Sequence, residues 1–193
     1  MSDILERLAL CVERGKVDRD ANYPPEMKGE DGAAELCRAA LDEGIPPDTV
    51  LREGLVVGMR RIGNAFGAGR AFIPQILIAA KAMNAAMESL TPCFEAGEIE
   101  HRGTVVIGTV AGDMHDIGKN IVRMVLEGDG FKAVDLGVDA TTEKFVAALD
   151  ENPGAIVGMS ALLTTTMVHM EPTISAIREA HPGTRVYVGG APV

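Results

Sequence analysis

Nine consecutive residues concentrate the reactive groups of this chain: Gly112-Asp113-Met114-His115-Asp116-Ile117-Gly118-Lys119-Asn120. An imidazole two residues after a carboxylate suits a metal ligand. One ring nitrogen can bind the metal while the carboxylate holds the other N–H and raises ligand basicity. The same pair also reads as an ordinary polar loop. The segment lacks the clustered His, Cys and carboxylate ligands of a structural zinc site, so a single protein ligand makes most sense where a macrocycle supplies the others. Two later segments could join it: Ser160-Ala161-Leu162-Leu163-Thr164-Thr165-Thr166, with its hydroxyls, and the pair Gly189-Gly190. These glycines either serve turns or leave the backbone open to a bulky ligand. They do not form a dinucleotide fingerprint, since no GxGxxG lies between the first strand and its helix. They do not form a phosphate loop either, because Gly118-Lys119 lacks the upstream spacing and a following Ser or Thr.

Residues this far apart meet only if the fold brings them together, and the second half of the chain supplies a suitable pattern. Thr104 to Val110 is a β-branched run, followed by helix-like sequence from Ile117 to Glu127. Ala133 to Leu136, a helix from Thr142 to Leu149, Ala155 to Met159, a helix from about Thr166 to Ala180, and Arg185 to Val188 complete an alternation. Strands alternating with helices predict βαβ units and a doubly wound parallel sheet, with ligands at the carboxyl ends of the strands. All three reactive segments fall at such ends. The first half reads as helices. Leu51, Leu55, Met59, Ile62 and Phe66 recur at helical spacing, as do Ile73, Ile76 or Leu77, Ala80, Met83, Met87 and Leu90. With shorter helices from Ile4 to Glu13 and Gly32 to Glu43, and a loop from Asp18 to Glu30, the reading is a four-helix bundle over 1–95. The α/β domain covers 103–193, and Glu95 to Arg102 links the two.

Composition narrows the function. Eighteen basic against twenty-eight acidic residues give a net charge of −10, and aromatics are 4% with no Trp. Nucleic acid and anionic membrane surfaces are disfavoured as partners. Hydrophobic residues at 47% are enough for packed cores. Cys11, Cys37 and Cys93 are odd in number and widely spaced, as expected of reduced thiols in a cytoplasmic protein. Met1 to Arg7 shows no signal-peptide pattern, and no apolar run approaches a membrane span.

Asp113-x-His115-x-x-Gly118, forty-one intervening residues, Ser160-x-Leu162 and then Gly189-Gly190 resemble the signature of cobalamin-binding domains. The longer string GDMHDIGKNIV adds to the likeness. Gly58-Met59, Phe66-Gly67, Gly69, Phe72-Ile73-Pro74 and Ala82-Met83 are similar to the helical cap that precedes such domains in methyltransferases. The resemblance covers about 32–193 and is to the corrinoid proteins of anaerobic methyltransferase systems and the cobalamin module of methionine synthase. It implies that His115 is the lower cobalt ligand, that Asp113 hydrogen-bonds it, and that Thr166 supplies the hydroxyl of the relay. It implies cofactor contacts from the loop residues Gly112, Met114, Asp116 and Ile117, and a slot for the nucleotide tail lined by Ser160, Leu162 and Thr164. Gly118, Gly189 and Gly190 leave room for that tail. It places Phe66, Ile73 and Ile76 over the upper corrin face. It also implies a further helix and strand after the glycine pair, where these residues run only Ala191-Pro192-Val193.

The implied activity is that of a methyl carrier with no catalysis of its own. A donor-specific methyltransferase loads the cobalt, the group is held as methylcobalamin, and an acceptor methyltransferase, tetrahydrofolate-dependent in many such systems, removes it. A reductive activator restores Co(I) when the cofactor oxidises. The rival readings are the cobalamin subunit of an adenosylcobalamin mutase, which the methyltransferase-like cap disfavours, and a cobalamin-dependent sensor, which would need a DNA-binding element that this acidic chain lacks.

Overall fold

A computed structural model describes residues 3–193; Met1-Ser2, part of the N-terminal reading above, lie outside the described residues. The described residues pack as two units, one running to residue 100 with 128–130 added, the other comprising 101–127 and 131–193.

The first unit is helical. α1 (Asp3–Arg14) buries Ile4, Leu5, Leu8, Ala9, Cys11 and Val12 on one stripe. Asp3 and Glu6 in its first turn and Arg14 in its last suit the helix dipole. It ends at Gly15, whose positive φ lets Lys16 N–H reach back to the Cys11 carbonyl. The Lys16 side chain is fully buried and donates to the Ala21 carbonyl at 2.8 Å. Asp18 Oδ1 accepts from Ala21 N–H at 2.7 Å. These bonds shape the loop that sequence places over 18–30, within which Pro25–Met27 makes a single 3₁₀ turn. α2 (Ala33–Asp42) starts where the Glu35 carboxylate accepts from Gly32 N–H.

The expected helix through Leu51 to Phe66 begins earlier and is not uniform. α3 (Pro47–Thr49) leads through a π-helical stretch, Val50–Leu55, into α4 (Val56–Gly67). Leu51, Leu55, Met59 and Ile62 are buried as their spacing predicts. Gly54 and Gly58 set how closely α1 approaches: a Cβ at Gly54 would stand 2.8 Å from Leu8 Cδ2, and one at Gly58 2.5 Å from the Ala9 carbonyl oxygen. α5 (Ile73–Glu95) carries Pro74 in its first turn, where no N–H is needed, and Gln75 Oε1 accepts from Phe72 N–H. Its inner stripe uses Ile76, Ala80, Met83 and Leu90, while Leu77 faces out.

The second unit is a four-stranded parallel sheet in the order β2-β1-β3-β4. Its elements are β1 (Thr104–Thr109), α6 (Ile117–Gly128), β2 (Lys132–Asp135), α7 (Thr142–Glu151), β3 (Ile156–Ser160), α8 (Thr164–Met167), α9 (Met170–Ala180) and β4 (Val186–Gly189). Alternation along β1 separates its two faces. Val106 and Val110 pack with Phe145 and Leu149 of α7 and Ile177 of α9. Ile107 points to the opposite face, toward Gly118 and Val122 of α6. The order reverses between β1 and β3, and this switch point is where an open α/β sheet binds ligands.

One expected element differs. The helix read from Thr166 to Ala180 is broken into α8 and α9. Pro172 is the cause: inside a continuous helix it would lack its bond to Val168 and clash with that carbonyl, whereas in the first turn of α9 it fits. The break frees the Thr166 side chain from an ordinary helix face.

Cys11 and Cys37 are buried and Cys93 half-buried, all as free thiols. Burial pushes Cys11 up to about 11 and Cys37 up to about 12, so neither is a thiolate at neutral pH.

The tight α1–α4 contact makes a paired prediction. Gly58→Ala should destabilise the bundle by about 1–3 kcal/mol through overpacking. Gly63→Ala, in the same helix but with open space around its Cβ position, should stabilise it by roughly 0.5–1 kcal/mol. Urea unfolding midpoints of the two variants read the difference.

Candidate cofactor-binding site

The site is built around the Asp113 carboxylate, which is fully buried. Oδ1 accepts from His115 N–H at 3.0 Å and contacts His115 Nδ1 at 2.7 Å. Oδ2 accepts from Leu162 N–H at 2.8 Å, from the Thr166 hydroxyl at 2.6 Å and, longer, from Leu163 N–H at 3.4 Å. Burial pushes the carboxyl up. The bonds from Thr166, the His115 and Leu162 amides and the His115 ring outweigh it and hold the group well below the usual carboxylate range. Asp113 is therefore ionised at any physiological pH. A carboxylate can only accept, so Nδ1 is the protonated nitrogen of a neutral His115 ring, and in that tautomer Nε2 keeps its lone pair. The His115 side chain is 50% exposed, so that lone pair is accessible.

Local chain geometry delivers this arrangement. Asp113 N–H donates to the Val110 carbonyl across a tight turn whose third residue is Gly112, φ +77. A turn of that kind demands positive φ at this place, which explains this glycine. The buried Thr109 hydroxyl, at the end of β1, donates to the His115 carbonyl at 2.9 Å. Thr166 reaches Asp113 from α8, so the ends of β1 and β3 are tied through one carboxylate.

Beside this loop a cleft of about 320 Å³ runs over the α6 side of β3 and β4. It is lined by Ile107, Gly118, Lys119, Val122, Gly158, Met159, Ser160, Tyr187, Val188, Gly189 and Gly190. The parallel register sets Ile107, Gly158 and Tyr187 in one row and Ser160 and Gly189 in the next. Its glycines have different reasons. Gly190 has φ +128, and a Cβ there would stand 1.7 Å from the Ala161 carbonyl oxygen, so the chain itself requires it. Gly118 and Gly189 have ordinary φ and open space where a Cβ would point. Nothing in the protein's own packing asks for glycine at either place, and in the wall of this cleft the missing side chains leave the backbone open to a bulky ligand.

The sequence-predicted residues divide accordingly. Asp113, His115, Leu162 and Thr166 are joined by hydrogen bonds, and Gly118, Ser160, Gly189 and Gly190 share the cleft. Met114, Asp116 and Ile117 are exposed on the histidine loop, and Thr164 is exposed on α8, outside the cleft lining. Phe66 and Ile73 belong to the helical unit and are 40% and 42% exposed. Ile76 is 1% exposed, a core side chain with no surface to offer a ligand. The sequence assigns no role in the site to Thr109, Asp139, Lys119, Gly158 or Tyr187. Gly158 carried a usable signal, since glycine inside a strand marks close backbone approach. Lys119 is buried and pairs with Asp135 at 2.5 Å, holding α6 to the end of β2.

The residues present fit a large metal macrocycle: a prepared imidazole, an adjoining apolar cleft, and two glycines unexplained by the chain. Among the described residues no cluster of three or more His, Cys, Asp or Glu side chains could hold a bare metal ion. Comparison with known proteins agrees. Residues 103–193 match a family model described as a B12 binding domain, and residues 29–91 match a second of the same description. A trimethylamine corrinoid protein of Methanosarcina mazei is 42% identical over 168 residues, covering 85% of this chain and 77% of that one. The crystal structure of the methanol:cobalamin methyltransferase complex MtaBC from Methanosarcina barkeri superposes with a TM-score of 0.82 at 27% identity, over 100% of this chain and 69% of that one. A cobalamin-binding protein from Desulfitobacterium hafniense DCB-2 gives 0.73 at 28% identity, over 98% and 84%. The chain belongs to the B12-binding corrinoid proteins, and its cofactor is cobalamin. No described helix is long and apolar enough to cross a membrane.

The depressed Asp113 carboxyl has a consequence for the apo-protein. A group whose folded pKa lies below its unfolded value stabilises the fold above the unfolded value, about 4, and loses that contribution as pH falls. Wild-type apo-protein should therefore lose stability steeply below about pH 4. Asp113→Asn should be less stable at neutral pH, because its amide sets a donor against donors, and its stability should fall less steeply below about pH 4. Thermal melts at several pH values check both the level and the slope.

Proposed function

We propose that this chain is a methyl carrier, which holds a corrinoid and presents it in turn to a donor-specific methyltransferase and an acceptor methyltransferase. The observation that carries the reading is the Asp113–His115 pair, a single imidazole with its inner nitrogen fixed at 2.7 Å and its outer one accessible. The cofactor supplies a cobalt centre able to take up and give up a methyl group. His115 Nε2 is the protein atom assigned to the metal. Asp113 Oδ1 holds the Nδ1 proton and so sets how strongly Nε2 donates. The Thr166 hydroxyl, given to Oδ2, withdraws part of that negative charge and tempers the effect. Gly118, Ser160, Gly189 and the neighbouring cleft residues are assigned to the cofactor's tail.

The bundle, residues 1–95, is assigned as the cap, with exposed Phe66 and Ile73 as side chains that shelter the methyl group, and residues 103–193 as the binding domain. The names of the relatives put methylated amines first among donors to be tested. The acceptor is assigned as a tetrahydrofolate-dependent methyltransferase, and a reductive activator is the third partner.

Two measurements test this reading. Paramagnetic resonance of the Co(II) form should show splitting from a histidine nitrogen, abolished in His115→Ala. Splitting retained in that variant would identify another ligand. The reduced holo-protein should take up one equivalent of methyl from methyl iodide and lose it again on adding an acceptor and its methyltransferase. Uptake without release to any acceptor would favour a sensor over a carrier.

A further inference from the structure

Asp139 is the only non-glycine with positive φ among the described residues, at +50. It is exposed, so core packing does not account for a residue held in that conformation. Its contacts do account for it. Asp139 Oδ1 accepts from Gly112 N–H at 2.7 Å. Its own N–H donates to the Asp113 carbonyl at 3.0 Å. One residue thus holds the backbone on both sides of the Asp113 Cα, and Asp is among the few side chains that tolerate the left-handed region this requires. Asp139 is itself anchored by its neighbour: Ala140 N–H donates to the Thr109 carbonyl at 2.8 Å, extending the sheet edge past β2. The turn that carries Asp113 and His115 is therefore gripped from the β2–α7 connection by Asp139, independently of the Thr166 and Leu162 bonds from the β3 side.

We propose that Asp139 is a positioning residue for the metal ligand: by clamping Gly112 N–H and the Asp113 carbonyl it fixes where the Asp113–His115 pair stands. The inference rests on His115 being the ligand. The clamp acts through two backbone groups, so the residue at 139 must both accept a hydrogen bond and adopt positive φ. That requirement separates the substitutions. Asn meets both conditions, Gly meets only the second, and Ala meets neither.

The test uses the full chain, apo and cobalamin-loaded, as wild type, Asp139→Asn, Asp139→Gly and Asp139→Ala. Three quantities are read: the ratio of histidine-ligated to histidine-free Co(II) cofactor by paramagnetic resonance, amide exchange of Gly112 in the apo-protein, and the apo melting temperature. Asp139→Asn should keep the ligation ratio within about twofold of wild type. Asp139→Gly and Asp139→Ala should each lower it about tenfold, the scale of removing one charge-assisted bond that orients a metal ligand. Gly112 exchange should quicken in the same two variants, with the Asp139→Gly melting temperature close to wild type. A normal ligation ratio in Asp139→Gly overturns the inference, whatever the Ala variant does, because that pattern assigns the effect to backbone strain alone. Should Asp139→Ala not fold, the Gly variant, which carries no strain, decides the matter. Absence of histidine splitting in wild type itself would instead overturn the ligand assignment, and this inference with it.

Discussion

A carboxylate cut off from water stays charged only if its lone pairs are occupied, and the geometry of this site follows from meeting that condition at Asp113. Two chain segments meet it together. The His115 amide and ring come from the loop after β1, and the Leu162 amide and Thr166 hydroxyl from the segment after β3. Removing partners from a buried charge costs about 3–5 kcal/mol, so the same bonds that hold the histidine also hold the two strand ends in register. Ligand preparation and local folding are one interaction. This is why a half-exposed imidazole can have a defined proton position: the order comes from the buried acid beneath it.

The sheet supplies the remaining space. On one face α7 and α9 cover the strands and the apolar core is closed. On the other, the α6 residues Gly118, Lys119 and Val122 form one wall of a cleft whose floor includes Gly158 and Tyr187. The Lys119–Asp135 pair holds that wall against the end of β2. A flat, apolar opening beside a prepared imidazole is suited to a ligand that is large, partly apolar and attached to the protein through one metal bond.

Much of this was legible in the residues. The alternation of β-branched runs and amphipathic segments points to the parallel sheet, and the Asp113–His115 spacing points to the central pair, because an Asp side chain accepts from the backbone N–H two residues on and so brings that residue beside it. The apolar stripes of the bundle are readable too, except at their ends, where Phe66 and Ile73 are exposed, and at the choice between Ile76 and Leu77. That choice could not be made from spacing alone, since both lie within the range of a helical face, and Ile76 proved to belong to the core. Pro172 marks the break between α8 and α9, but the helical pattern on both sides of it masks that signal. Thr109 and Asp139 were invisible for a stronger reason. Their roles depend on backbone groups brought close by the sheet, and nothing in the local sequence around either residue marks a hydrogen bond to a loop six or twenty-seven positions away. The glycines stand out in the sequence, but their reasons do not. Only the positions of neighbouring atoms show that Gly112 and Gly190 answer to the backbone while Gly118 and Gly189 do not.

The central claim, that Asp113 fixes the proton of the neutral His115 ring on Nδ1 and leaves Nε2 free for a metal before any cofactor arrives, is tested most directly by nitrogen NMR of the apo-protein over a pH series carried up to the neutral form of the ring. The ring nitrogens of His115 should appear as a single tautomer. Nδ1 should be protonated and coupled to a slowly exchanging, downfield proton, with Nε2 at the shift of an unprotonated imidazole nitrogen. In Asp113→Ala both signals should collapse toward the tautomer mixture of a free histidine. A wild-type His115 that already shows the free mixture, or that carries its proton on Nε2, would contradict the account.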